Sequence, residues 1–202
     1  MADERGAAEA VTGRTFVSTA LVVALAVSGV GHLLSVGASG VAEGNDTRGA
    51  LDVRRADKRF VRRPLWRVVT WSRWGTRALR DRGYVLVHLD TFSTPRFDHF
   101  ILVRSTGARM RAGLFADRVP PRNDRRLGAV PVWRPNRRSL SVRVPLRRLR
   151  VGSQRESYRW YVKTIFTSRR CRRTCLDRVP DKGAVEESLE APQPSPSPTD
   201  DD

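Results

Sequence analysis

Cysteine is nearly absent from this 202-residue chain: Cys171 and Cys175, in the order CRRTC, are the whole complement. Two thiols are too few for a structural zinc site, and the three histidines lie far from them in sequence. The CxxxC spacing is also not the CxxC of redox motifs. Lysine is scarce, with three residues among the 38 bases, so arginine carries almost all the positive charge. No GxSxG elbow surrounds Ser153, Ser157 or Ser168, and no Gly-rich phosphate loop is present. These absences leave no motif for nucleophilic hydrolysis or nucleotide chemistry. The chain reads as non-enzymatic, with no cofactor and no metal site. Long amphipathic helices are missing too; residues 76–82 offer one or two helical turns at most.

What is present is charge, unevenly spread. Residues 41–183 hold 36 bases against 12 acids, while 184–202 hold six acids and no base. A field of that sign attracts anions such as nucleic acid, anionic lipid or an acidic wall polymer. The competing reading is a solvated arginine surface with no partner.

Residues 16–30 (FVSTALVVALAVSGV) carry no charge, follow Arg14, and run on into the small-residue stretch Gly37-Ala38-Ser39-Gly40. This matches the apolar core of a signal peptide, with cleavage points after Ala38 or Ala42. Uncleaved, residues 16–38 are long enough to span a bilayer as a helix. Arg48, Arg54, Arg55, Lys58 and Arg59 follow closely and oppose export by the positive-inside bias, but long domains translocate largely regardless of charge. No twin-arginine pair precedes the run, so the general secretory route is implied. The expected location is extracellular or at the cell membrane with the downstream domain outside. In that compartment a local disulfide between Cys171 and Cys175 is the simplest reading, with two free thiols as its competitor.

The body reads as short strands. Residues 65–71 (LWRVVTW) are rich in β-branched and aromatic residues, and 84–90 (YVLVHLD) are apolar on both faces, as in a central strand. Residues 97–103 lead through Ser105-Thr106-Gly107-Ala108, a hairpin signal, into 110–115. Residues 130–133 reach a turn at Pro135-Asn136. Leu140, Val142, Val144 and Leu146 alternate with polar residues as in a half-buried strand. Residues 158–166 (YRWYVKTIF) are the last strong strand, and 51–61 add one more. Repeated strands without crossover helices predict an all-β fold, an antiparallel, jelly-roll-like β-sandwich. The domains are then a signal peptide or anchor (1–42), a linker (43–50), a basic β-sandwich (51–183) and a disordered acidic Pro/Ser tail (184–202).

The order of YVLVHLDT, FDHFILV, YRWYVKTIF and the closing CRRTCLDRVPDKG resembles actinobacterial exported proteins with cores similar to DOMON or family 9 carbohydrate-binding-module sandwiches. The resemblance covers residues 50–183 and implies sugar binding or, in DOMON cases, haem. In such relatives the loop after the first Asp is often acidic, which implies a place for calcium. Here Asp90 and Asp98 bracket TFSTPRF, which has no acid, and no Met/His haem pair can be placed.

His88, Asp90, Asp98 and His99 fall on neighbouring predicted strands and form the one acid/base grouping, although a histidine on an apolar face is more often a satisfied structural residue. Tryptophan offers better ligand candidates. Trp66 and Trp160 fit the core, whereas Trp74 and Trp133 stand beside turns and arginines, where an exposed indole stacks on sugars or bases. The expected function is an exported or tethered binding or scaffolding module for a carbohydrate or acidic envelope polymer. An arginine-driven binder of nucleic acid or anionic lipid is the alternative, and a hydrolase around His88 and Asp90 a third.

Overall fold

The computed structural model describes residues 38–47, 49–61, 63–80, 83–92, 96–145, 148–149, 157–167 and 174–188. The fold is all-β, in two antiparallel sheets. Its strands are β1 (Ala38–Ala42), β2 (Val53–Val61), β3 (Arg63–Thr70), β4 (Tyr84–Asp90), β5 (His99–Ser105) and β6 (Met110–Ala116). They continue with β7 (Arg125–Val130), β8 (Val132–Asn136), β9 (Ser139–Arg143), β10 (Ser157–Phe166), β11 (Cys175–Val179) and β12 (Val185–Ser188). One sheet has the order β1-β2-β3-β9-β8; the other runs β11-β10-β4-β5-β6-β7, with β12 also on β10. A 3-10 turn at Thr76–Leu79 replaces the short helix expected at 76–82.

Period-two patterning decides which face of each strand is buried. In β3, Pro64, Trp66, Val68 and Thr70 point inward; in β10, Tyr158, Trp160, Val162, Thr164 and Phe166 do so. Of these, Trp66, Val68, Tyr158, Trp160, Val162 and Phe166 join Val85, Val87 and Leu89 of β4, Ile101 and Val103 of β5 and Leu140 and Val142 of β9 in one apolar cluster fed by both sheets. The arrangement is sandwich-like. Trp66 and Trp160 are fully buried, as expected. Each removes apolar surface worth about 4 to 6 kcal/mol before the entropic cost of ordering.

The two sheets are also tied by polar contacts where β1 and β2 lie beside β12 and β11. Val53 N donates to Asp177 Oδ2 at 2.6 Å, Thr164 Oγ1 donates to the Leu51 carbonyl at 2.8 Å, and Lys58 Nζ donates to Glu187 Oε2 at 2.9 Å. The phase of β2 turns Lys58 inward. A register irregularity between Val53 and Arg55 leaves Arg54 as the extra residue, after which Ala56 and Lys58 face the core side.

Several expectations need correction. The folded part does not begin at 51: β1 lies within the segment assigned to the signal or anchor and pairs with β2 from Ala38↔Arg59 to Ala42↔Arg55. Nor does it end at 183. β12 pairs with β10 from Ser157↔Ser188 to Trp160↔Val185, so residues 185–188, assigned to the disordered tail, are a sheet edge. β9 is not half-buried; Ser139 to Val142 are all buried, because β9 lies between β3 and β8. The turn expected at Pro135-Asn136 falls at Arg137-Arg138, where Asn136 Oδ1 accepts from Arg138 N at 2.8 Å. The sequence pattern predicts neither β7 nor β11. β4 is a central strand between β10 and β5, as expected. No helix among the described residues is long and apolar enough to cross a membrane. Residues 16–37 of the expected membrane segment 16–38 and residues 189–202 of the expected tail 184–202 lie outside the described residues.

Candidate functional site

The outward face of the seven-stranded sheet carries rings where an exposed sheet face would ordinarily carry polar side chains. Register brings them into a row: Tyr161 on β10 opposes His88 on β4, His88 opposes Phe100 on β5, and Phe100 opposes Phe115 on β6. Tyr161 and His88 are parallel within 11° at 4.4 Å, and Phe100 and Phe115 within 4° at 5.1 Å. Parallel rings that close, on strands about 4.8 Å apart, must stand on edge and stack on one another rather than lie flat on the sheet. His88 and Phe100 are 6.0 Å apart and tilted by 39°, which leaves a step in the row. Tyr161 to Phe115 spans three strand spacings, about 14 Å.

Phe97 closes the β10 end of the row, meeting Tyr161 edge-on at 4.6 Å and His88 at 6.3 Å. Beside it lies a hollow of about 580 Å³ lined by His88, Phe97, Tyr161, Arg96, Arg118 and Asp117, among others. Arg178 stacks over the outer Tyr161 ring at 4.3 Å and braces the turn between β11 and β12 by donating to the Asp181 and Gly183 carbonyls. Burial, aided by the Lys163 and Arg178 charges, lowers the His88 pKa to about 4, so the ring is neutral at physiological pH. Its Nε2 is buried without a hydrogen-bond partner among the described residues. Burial and the neighbouring Asp124 raise Asp117 above the usual carboxylate range. The hollow therefore joins aromatic walls, guanidinium donors and a carboxylate whose proton is held more tightly than usual.

The four acid/base candidates do not converge as one set: His88 and Asp98 both line this hollow, whereas Asp90 and His99 do not. Asp90 is fully buried and ion-paired with Arg159, its neighbour across β10, through Nε at 2.9 Å and Nη2. His99 faces inward and is buried, with Nδ1 3.2 Å from both Thr91 Oγ1 and Asp98 Oδ2. Thr91 in turn donates to Asp98 from Oγ1 at 2.6 Å and from its backbone N at 2.7 Å. Burial would raise the Asp98 pKa, but the His99 and Thr91 hydrogen bonds outweigh it and hold it below the ordinary value. In this trio the hydroxyl bonds the carboxylate directly, and both meet the same ring nitrogen. That arrangement clamps the β4–β5 connection; a relay would need the imidazole between the other two groups.

Trp74 is not exposed, contrary to expectation: it retains 6% of its surface. The chain after β3 folds back onto the β8–β9 turn through Trp74 N to the Arg137 carbonyl at 3.0 Å, and Arg134 covers the ring at 3.9 Å. Trp133 keeps 37% exposure, with Arg143 5.4 Å from its ring centre. Neither lines the hollow beside Phe97. Cys175 is buried and is not a free thiol; Cys171 lies outside the described residues.

Sequence reading also missed a carboxylate group where β1, β2 and β11 meet. Ligand atoms of Glu43, Asp46 and Asp177 lie within 4.8 Å of one another, close enough to share a hard cation. Burial first, then Asp181, Asp177 and Asp46, raises the Glu43 pKa to about 8; burial chiefly raises that of Asp177 to about 6.

Compared with protein-family models, curated proteins and solved structures, the chain matches none of them.

Proposed function

We propose that this chain is an exported or membrane-tethered, non-enzymatic module with a jelly-roll-like β-sandwich, which binds a carbohydrate or acidic envelope polymer on the outward face of its seven-stranded sheet. The observation that carries the reading is the row Tyr161–His88–Phe100–Phe115 with the hollow at its β10 end. An outward sheet face is a costly place for four rings unless something covers them. Aromatic walls beside arginine and carboxylate groups suit a sugar, whose apolar ring face and hydroxyls need both. The disulfide between Cys171 and Cys175 and the apolar segment at 16–38 belong to the same reading, since both fit an oxidising space outside the membrane.

Fluorescence anisotropy with fluorescein-labelled oligogalacturonate tests it. Tyr161→Ala combined with Phe97→Ala should weaken binding at least tenfold at moderate salt. Binding that vanishes between low and moderate salt and ignores those substitutions would instead support the charge-driven alternative of nucleic acid or anionic lipid. Export is tested separately with an alkaline phosphatase fusion at the C terminus, which should be active; an inactive fusion, with a cytoplasmic reporter active at the same site, overturns it.

A further inference from the structure

At the other end of the aromatic row lies a second hollow, of about 370 Å³, over β5, β6 and β7. Three exposed arginines line it: Arg104, Arg111 and Arg126. The lining contains no carboxylate; its other polar side chains are Ser105 and Thr106. Arg104 and Arg111 are direct cross-strand neighbours, a pairing of like charges that destabilises a sheet. No ion pair relieves any of the three among the described residues.

Arg126 reaches this face through a β-bulge. The β6–β7 register runs Leu114↔Gly128 and then Phe115↔Arg126, so Leu127 is skipped and the arginine is set opposite the ring. Gly128 adopts φ 142°, a conformation glycine accepts without strain. Bulges of this kind re-aim a side chain beside binding sites. Gly113 supplies the remaining room: a Cβ there would stand 2.9 Å from Phe115 Cε2 and 3.6 Å from Arg126 Nε. One face of Phe115 is stacked on Phe100, and its other side is turned toward β7 and this hollow.

We propose that this hollow is a subsite for an acidic sugar unit, with its carboxylate among Arg104, Arg111 and Arg126 and its ring against Phe115. The assignment rests on the polymer reading above for its biological setting, but on its own geometry for the site. Planar guanidinium groups hold carboxylates bidentately, and three converging ones without a counter-charge select an anion. Single-stranded nucleic acid fits less well. Base stacking needs a series of open ring faces, and most faces in this row are spent on each other.

The test is NMR of the arginine Nε–Hε signals of the full chain, titrated with galacturonic acid, glucose, inorganic phosphate and single-stranded oligothymidylate. Galacturonic acid should shift Arg104, Arg111 and Arg126 together, and glucose should not. The double substitution Arg104→Gln, Arg111→Gln, at exposed positions where relief of the like-charge pair should hold or raise the melting temperature, should weaken galacturonic acid at least tenfold. Gly113→Ala should weaken it too, by pushing Phe115 across the hollow. Silence of the three arginines toward galacturonic acid overturns the subsite, while an effect of Tyr161→Ala on oligogalacturonate would still stand. Phosphate or oligothymidylate shifting them where galacturonic acid does not overturns the sugar assignment. Loss of the Tyr161 effect with the arginine shifts intact retires the first hollow and leaves this one.

Discussion

Removing the buried charge on Glu187 tests how β12 belongs to the fold. The Lys58 and Glu187 side chains retain 5% and 10% of their exposure, with N···O at 2.9 Å. They sit among aromatic neighbours: Lys58 Nζ is 5.6 Å from the Tyr158 ring centre, and Tyr158 meets Trp66 edge-on at 6.5 Å. At an effective dielectric near 20, unit charges at this separation attract by about 6 kcal/mol. Several kcal/mol of desolvation for each ion oppose that gain, so the pair adds little net stability. Breaking it is another matter, because the surviving charge stays buried. Glu187→Gln should cost about 3 to 5 kcal/mol, a fall in Tm of roughly 6 to 20 °C for a domain of this size. Lys58→Met should cost a similar amount. Lys58→Met with Glu187→Leu should recover most of the loss, since an apolar pair of similar volume is often neutral or stabilising. Urea unfolding of the parent chain, Lys58→Met, Glu187→Leu and the double variant gives the coupling energy directly. A double variant as unstable as the sum of the singles would refute the contact, and a Glu187→Gln loss within about 0.5 kcal/mol, the range of ordinary surface substitutions, would refute its burial.

Other outcomes follow from the same geometry. Truncation after Gly183 removes β12 and should lower the urea midpoint by at least as much as Glu187→Gln; truncation after Ser188 should not. Between pH 6.5 and 8 stability should fall as pH rises. Glu43, raised to about 8, keeps its proton in the folded state where the unfolded chain has already lost it; Glu43→Gln should flatten that slope in pH-resolved melts. His88 acts in the opposite sense: its folded pKa near 4 is below the unfolded value, so its contribution is lost as pH falls through 6.5 toward 4, and His88→Phe should remove that acid-side loss. Mass spectrometry of the non-reduced protein should find Cys171 joined to Cys175, and alkylation of both without reductant would exclude the bond.

The parts of the fold that were legible are those where one strand states its own pattern. β4 and β10 alternate or fill with β-branched and aromatic residues over their whole length, and the Ser105–Ala108 turn ends in a hairpin. The missed strands lack an independent apolar signal. β1 is ASGVA, whose small residues read equally as a cleavage region. β7 begins Arg-Arg, and β11 and β12 turn Asp177 and Glu187 inward, which looks like a solvated tail until Val53 N and Lys58 are placed beside them. The aromatic row was hidden for a different reason. Its four members come from four strands, and only register makes them neighbours. One trace was readable: Phe100, Phe115 and Tyr161 each occupy the position of an alternating strand where a polar residue belongs. Trp74 stands next to a turn yet is buried, because that turn folds back onto the β8–β9 turn, a contact between segments distant in sequence.

Five residues at the start of the fold carry a further consequence. β1 shields one long side of β2, pairing with it from Ala38↔Arg59 to Ala42↔Arg55 and satisfying backbone groups that would otherwise be an open edge. A peptidase cutting after Ala38 would leave nearly all of that shield in place. A cut after Ala42, four residues on, would strip it and leave a row of unsatisfied backbone amides and carbonyls ready to accept a strand from a neighbouring molecule. The site of proteolytic maturation would then decide whether the free edge of this sheet is the 5 residues of β1 or the 9 of β2, the longer being the better template for edge-to-edge pairing.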